Sequence, residues 1–202
     1  MTITTKKQIL AIFDFDGTMT TKDTMFDFII FCHGKLKLAQ GLCFLFPILI
    51  LYKLGFISNS IAKQKFLSFF FKGYREDYFS RKCQEYISRI NTIIHSKAVA
   101  KLKWHQEQGH IVLIDSASVD KWIYPWAKNI GIDVVIATKL EVKDGFLTGN
   151  LASENCYGQE KVNRLLELFP DIEAYQIYVY GDSNGDRELL KIADHPFYRK
   201  FE

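Results

Sequence analysis

Cysteine and proline are scarce, four of each among 202 residues. Cys32, Cys43, Cys83 and Cys156 lie far apart, with no CxxC pair and no zinc-ligand spacing. Neither a disulfide framework nor a zinc site is expected, and free thiols fit a reducing cytoplasm. Met1 is followed by a polar stretch rather than a signal peptide. Long hydrophobic runs are lacking too. The most apolar segment, residues 42–52 (LCFLFPILILY), spans about 11 residues where a bilayer crossing needs roughly 18–20, and Pro47 interrupts it. No membrane-spanning helix is expected. No dinucleotide fingerprint follows the opening strand pattern, no nucleic-acid-binding motif is present, and no repeat, low-complexity tract or flexible linker divides the chain. Nucleic acid is therefore not an expected partner, and no sequence feature speaks to oligomeric state.

What is present is ordinary globular material, 48% hydrophobic and 24% charged, enough for one α/β domain with an inserted subdomain. Charge is unevenly spread. Residues 22–100 carry 12 Lys/Arg against 5 Asp/Glu, net +7, and the remainder 14 against 18, net −4. A basic segment that also holds the most apolar run points to an anionic partner or membrane surface, or to a solvated lysine-rich helical face; clustered aspartates in the acidic remainder point to a metal site.

Apolar runs ending in polar loops recur at 9–13, 110–115, 134–138 and 177–182, the pattern of buried parallel strands. Helical patterns at 97–108, 119–130 and 161–169 alternate with them, predicting a Rossmann-like parallel sheet covered on both faces. Asp144-Gly145 between two alternating segments predicts a β-hairpin over 140–149. Residues 22–96 show helical spacing only, so a helical insertion should leave the sheet after the first strand, with 1–21 and 97–202 forming the core.

Ligands of open parallel sheets bind beyond the carboxyl ends of the strands, where Asp14, Asp16, Gly17 and Thr18 should meet Asp115, Ser116 and Ser118, and Asp182, Ser183 and Asp186, with Lys161 opening the helix before the last strand. Gathered carboxylates repel unless a hard cation joins them, and few protein ligands plus water suit Mg²⁺. Ser116, Lys161 and helix-start amides are donors for phosphate oxygens. Together these imply phosphoryl transfer through an aspartyl-phosphate. A calcium loop opening at Asp14 would need Gly and Glu where Met19 and Met25 stand.

The ordered set DFDGT (14–18), SAS (116–118), Lys161 in GQEKV and GDSNGD (181–186) resembles the four motifs of the haloacid dehalogenase superfamily, over nearly the whole chain. The second aspartate of DxD favours its phosphatase branch, and NCYGQEKV, GDSNGDRELL and ADHPFY are similar to the phosphoserine phosphatase-like subfamily IB, which includes a bacterial phosphatidylglycerophosphate phosphatase. The resemblance implies a nucleophilic Asp14 and an Asp16 that protonates the leaving group and then activates water. It implies Mg²⁺ on Asp14, the main-chain oxygen of Asp16 and Asp182, with Asp186 supporting either the metal or Lys161. Phosphate would be held by Ser116, Ala117 and Lys161, with Gly17 and Thr18 of the first motif. It also implies that residues 22–96 are a C1-type helical cap that selects the substrate. Three departures stand out: Gly185 replaces the Asn that precedes the last aspartate, Asp115 replaces an apolar residue, and the sequence stops at Glu202, so a sheet-edge element is expected to be missing.

Substrate stays open between two classes, a lipid-like phosphomonoester such as phosphatidylglycerophosphate, and phosphoserine or another small soluble ester. A weakly active membrane-surface or protein-binding module is the alternative of another kind. Asp23 is placed either to read an amine or to cap a helix, with Arg75 or Lys72 as candidates for a carboxylate. Leu38, Leu42, Leu45, Phe46, Leu49 and Ile50, flanked by Lys35, Lys37, Lys53, Lys63 and Lys65, are either the core of a four-helix cap or an interfacial lid. The lid reading would put a cytoplasmic enzyme peripherally at the inner membrane face.

Overall fold

The computed structural model describes residues 7–201; residues 1–6 and Glu202, the two ends of the expected core, lie outside the described residues. Five strands, β1 (Gln8–Phe13), β2 (Ile111–Val119), β3 (Val134–Thr138), β6 (Tyr175–Gly181) and β7 (His195–Tyr198), form one parallel sheet in the order β3-β2-β1-β6-β7. The apolar tetrad Leu10–Phe13 lies in the central strand and is fully buried, because both sheet faces are covered. On one face α6 (Gln159–Leu168) and α7 (Arg187–Lys191) bury Val162, Leu165 and Leu189 against Leu10, Ile12 and Val179. On the other, α4 (Ser96–Glu107) and α5 (Asp120–Asn129) bring Leu102, Trp122 and Trp126 against Ala11 and Phe13. The α/β class, the strand-helix alternation and helices α4, α5 and α6 match the sequence expectation within a few residues, whereas α7 was not expected.

Between β1 and α4 the chain is helical: α1 (Thr24–Lys53), α2 (Asn59–Phe71) and α3 (Glu76–Ile93). Gly34, at φ 81°, breaks α1 into two helical stretches, giving four in all. Phe28 is the hub that ties this layer to the sheet. Its ring lies 4.8 Å from Trp122 of α5, 4.9 Å from Tyr86 and 5.6 Å from both Phe71 and Phe79. Asp27 accepts hydrogen bonds from Arg89 and Tyr86, closing α1 onto α3.

β4 (Leu140–Lys143) and β5 (Phe146–Leu151) form the expected hairpin, with Asp144 at φ 52° and Gly145 at φ 78°, the two positive angles a type I′ turn demands. Two features differ from expectation. β2 does not stop at Asp115 but carries Ser116 and Ser118 within the strand, with a register shift between Ser116 and Val119. The sheet edge is also occupied: β7 pairs in parallel with β6, and its Pro196 is tolerated because an edge strand has one unpaired side.

Candidate active site

β1, β2 and β6 run side by side, with Phe13 in register with Ile114 on one flank and Tyr180 on the other, so the residues that follow face one another across the carboxyl edge. Asp14, Asp16, Ser116, Ala117, Lys161, Asp182 and Asp186 all line one cavity of about 330 Å³ between this edge and the helical layer. Lys161 is its electrostatic centre. Its buried ammonium donates to Asp14 Oδ1 at 2.7 Å, Asp186 Oδ1 at 2.7 Å and the main-chain oxygen of Asp115 at 2.6 Å, using all three N–H groups. Burial alone would lower the pKa of that amine, but Asp14, Asp186 and Asp115 hold it well above the ordinary lysine value.

One oxygen from each of Asp14, Asp182 and Asp186 can lie within 4.8 Å of the others. Burial, with Asp186 alongside, pushes the Asp14 carboxyl well above the usual range despite the opposing pull of Lys161. Burial and Asp186 likewise raise Asp182. For Asp186, burial is outweighed by Lys161 and by donors from Ser183, and its carboxyl is held low. Three hard oxygen donors, two of them destabilised as anions, are a set that Mg²⁺ fits. Gly17 and Thr18 abut this trio. Thr18 Oγ1 donates to Asp182 Oδ1 at 3.4 Å, and Gly17, at φ 82°, leaves room for Asp182 where a Cβ would stand 2.4 Å from its Oδ2.

The Asp16 carboxylate stands outside the trio. Its Oδ1 accepts from Thr24 N at 2.8 Å and Thr24 Oγ1 at 2.6 Å. Burial and the nearby Asp23 charge push it up to about 6, against these donors. Ser116 Oγ accepts from Ser118 N at 3.0 Å, which leaves its own hydroxyl proton for a ligand in the cavity. Asp23 caps α1, accepting from Met25 N and Phe26 N, and also lines the cavity.

Asn155 escaped the sequence reading, and Lys63 entered it only as one of the lysines flanking the apolar run. Lys63 Nζ reaches down from α2 to Ala117 O at 2.5 Å and Asn155 Oδ1 at 3.1 Å, both neutral acceptors. Burial draws its pKa down, with Asp16 and Asp23 pulling the other way. In sequence Lys63 looks like its neighbour Lys65; only packing distinguishes them. Arg75 and Lys72 do not line the cavity: Arg75 pairs with Asp77 on the surface, and Lys72 is exposed. Asp115 points away into the core, where Cys156 Sγ donates to its Oδ1 at 3.3 Å. Gly185 admits the Tyr157 ring, 2.7 Å from where a Cβ would lie, so that ring occupies the place of the absent Asn side chain.

The family described as haloacid dehalogenase-like hydrolase matches residues 11–191. The protein CicA of Caulobacter vibrioides is 33% identical over 200 residues, 96% of this chain and 86% of its own. A probable phosphatase of Mycobacterium tuberculosis is 30% identical over 109 residues, 52% of this chain and 37% of its own. Among solved structures, a Bordetella pertussis protein of unknown function superposes with a TM-score of 0.83 at 21% identity, covering 96% of this chain and 90% of its own. Apo phosphoserine phosphatase does so with a TM-score of 0.64 at 22% identity, covering 93% and 84%. With the family matched across almost the whole fold, and its acidic loops converging on one cavity, the chain belongs to the haloacid dehalogenase-like hydrolases, as a phosphatase-type member.

Proposed function

We infer that this enzyme is a Mg²⁺-dependent phosphomonoesterase working through an aspartyl-phosphate on Asp14. The observation that carries the reading is the convergence of Asp14, Asp16, Ser116 and Lys161 with the Asp14–Asp182–Asp186 trio in one cavity. Asp14, Asp182 and Asp186, with the main-chain oxygen of Asp16, would hold the ion, which supplies charge neutralisation for the phosphoryl oxygens. An Asp14 carboxylate oxygen attacks phosphorus, forming an acyl phosphate as the bond to the ester oxygen breaks. Protonated Asp16 gives its proton to the departing alkoxide. The Asp16 carboxylate then takes a proton from water, whose oxygen attacks the phosphoryl group and regenerates Asp14. A group titrating near 6 is populated in both forms near neutrality, as one residue serving as acid and then base requires. Ser116 donates to the transferring oxygens while the Lys161 charge, held by its three acceptors, offsets theirs, and residues 22–96 act as the cap that closes over them.

The leaving-group side of the cavity is lined by Met25, Phe26, Leu49, Ala62 and Phe66, with Lys63 and Asn155 nearby. An apolar wall beside an ammonium group supports an amphiphilic ester, a lipid phosphate such as phosphatidylglycerophosphate. The second reading, phosphoserine, draws on Asp23 and Lys63 lining the same wall, a pairing complementary to an amine and a carboxylate. Turnover of p-nitrophenyl phosphate with Mg²⁺, abolished by chelation and reduced roughly a thousandfold or more in Asp14→Asn, is the expected result. Mg²⁺-dependent turnover surviving in a folded Asp14→Asn protein contradicts it. The two substrate readings separate by kcat/KM on short-chain phosphatidylglycerophosphate against phosphoserine; a preference for phosphoserine ends the lipid reading.

A further inference from the structure

The second stretch of α1, residues 35–53, presents two different faces. Inward it packs on α2: a Cβ at Gly41 would stand 2.2 Å from the Phe70 ring, Leu45 is buried, and Leu49 and Tyr52 reach the catalytic cavity. Outward it is apolar and bare. Leu36 is 83% exposed, Phe44 73% and Phe46 61%, and Leu54 and Phe56 just beyond the helix are 64% and 74% exposed. Isolated exposed apolar residues are ordinary; five large ones along one helix and its exit loop form a patch that marks a binding surface.

Charge identifies what covers it. From residue 28 to residue 75 there is no Asp or Glu, while Lys35, Lys37, Lys53, Lys63, Lys65, Lys72 and Arg75 fall in that interval. Lys35, Lys37 and Lys53 are exposed at the two ends of the apolar patch. A second copy of this chain would bring the same uncompensated positive charge against itself, whereas an anionic headgroup layer complements it and takes the apolar side chains beneath. By length and composition α1 could cross a membrane, its apolar window having a mean hydropathy of 1.6 and 11% of its residues buried. Crossing would strip Gly41 and Leu45 from α2 and pull Leu49 from the cavity, and Lys37 and Lys53 stand only about 24 Å apart along the axis, short of a hydrocarbon core of about 30 Å.

We propose that the outer face of residues 36–56 docks in the plane of an anionic lipid bilayer, with the catalytic cavity held beside the headgroups. This goes beyond the phosphatase reading and does not depend on it. The test uses the full chain with vesicles of equimolar phosphatidylglycerol and phosphatidylcholine, beside pure phosphatidylcholine. Sedimentation should show binding to the anionic vesicles at least about tenfold tighter than to neutral ones. Phe44→Ser combined with Phe56→Ser should weaken it by about tenfold or more, with melting temperature and p-nitrophenyl phosphate turnover unchanged. Lys35→Gln with Lys37→Gln should lower the anionic preference by a similar factor. Alkaline carbonate should strip the bound protein. Absence of binding to anionic vesicles, binding unaltered in both variant pairs, a dimer dissolved by the phenylalanine substitutions without vesicle binding, or retention after carbonate would each overturn the proposal. Turnover of p-nitrophenyl phosphate in vesicle-free buffer reports on the phosphatase reading separately.

Discussion

Thr24 links the helical layer to the chemistry through one hydroxyl. It donates to Asp16 Oδ1, lies 2.9 Å from Ser118 Oγ and accepts from Trp122 Nε1 at 3.2 Å, fully buried. Both Thr24 bonds favour the charged form of Asp16 and oppose the rise to about 6. Thr24→Val keeps the shape and removes one of them. The Asp16 pKa should therefore climb further, and because the proposed mechanism uses its protonated form as general acid, the alkaline limb of kcat/KM for an alkyl phosphomonoester should move to higher pH by about half a pH unit or more. A limb that stays in place or moves down would remove Asp16 from that role. Asp14, Asp16, Ser116, Asp182 and Asp186 were legible because motif spacing puts them at or near adjacent strand ends, and Lys161 because it opens the helix before the last of those strands. Thr24, Lys63 and Asn155 were not legible as site residues, since Lys63 and Asn155 reach the cavity and Thr24 reaches Asp16 through tertiary packing that leaves no periodic trace.

At the scale of elements, the helices of residues 24–93 are bound to the sheet through an aromatic hub, with the Lys121–Glu76 ion pair joining α5 to α3 beside it. Phe28 is fully buried among rings contributed by α2, α3 and α5. Phe28→Ala should cost about 3–5 kcal/mol in denaturant unfolding, because the surrounding rings close such a void only in part. A loss under about 1 kcal/mol would show that the layer is held by other contacts. Strand and helix alternation, the Asp144-Gly145 hairpin and the helical insertion were all readable from periodicity. β7 was not, being a four-residue strand containing Pro196 whose existence depends on the exposed edge of β6. The apolar run of residues 42–52 had two readings in sequence, core or surface, since apolar spacing says which residues share a face and not what faces them. Packing divides the run: Leu45 is buried inward, and Phe44 and Phe46 remain outside.

For the whole molecule, the parallel sheet sets the aspartates at one edge and the basic, apolar helical layer roofs them, so the acidic and basic parts of the chain meet at the cavity. The ion pairs of Lys161 with Asp14 and Asp186 tie the end of β1 to the loop after β6. In the proposed mechanism that architecture serves a two-step transfer in which Asp14 alone carries the phosphoryl group. Acid quench of an Asp16→Asn variant during turnover with Mg²⁺, followed by borohydride reduction and peptide mapping, tests this most directly. The account predicts that Asp14 is converted to homoserine, the mark of a reduced acyl phosphate, in the peptide containing DFDGT. Label on another residue, or substrate turned over with Asp14 never modified, would contradict it.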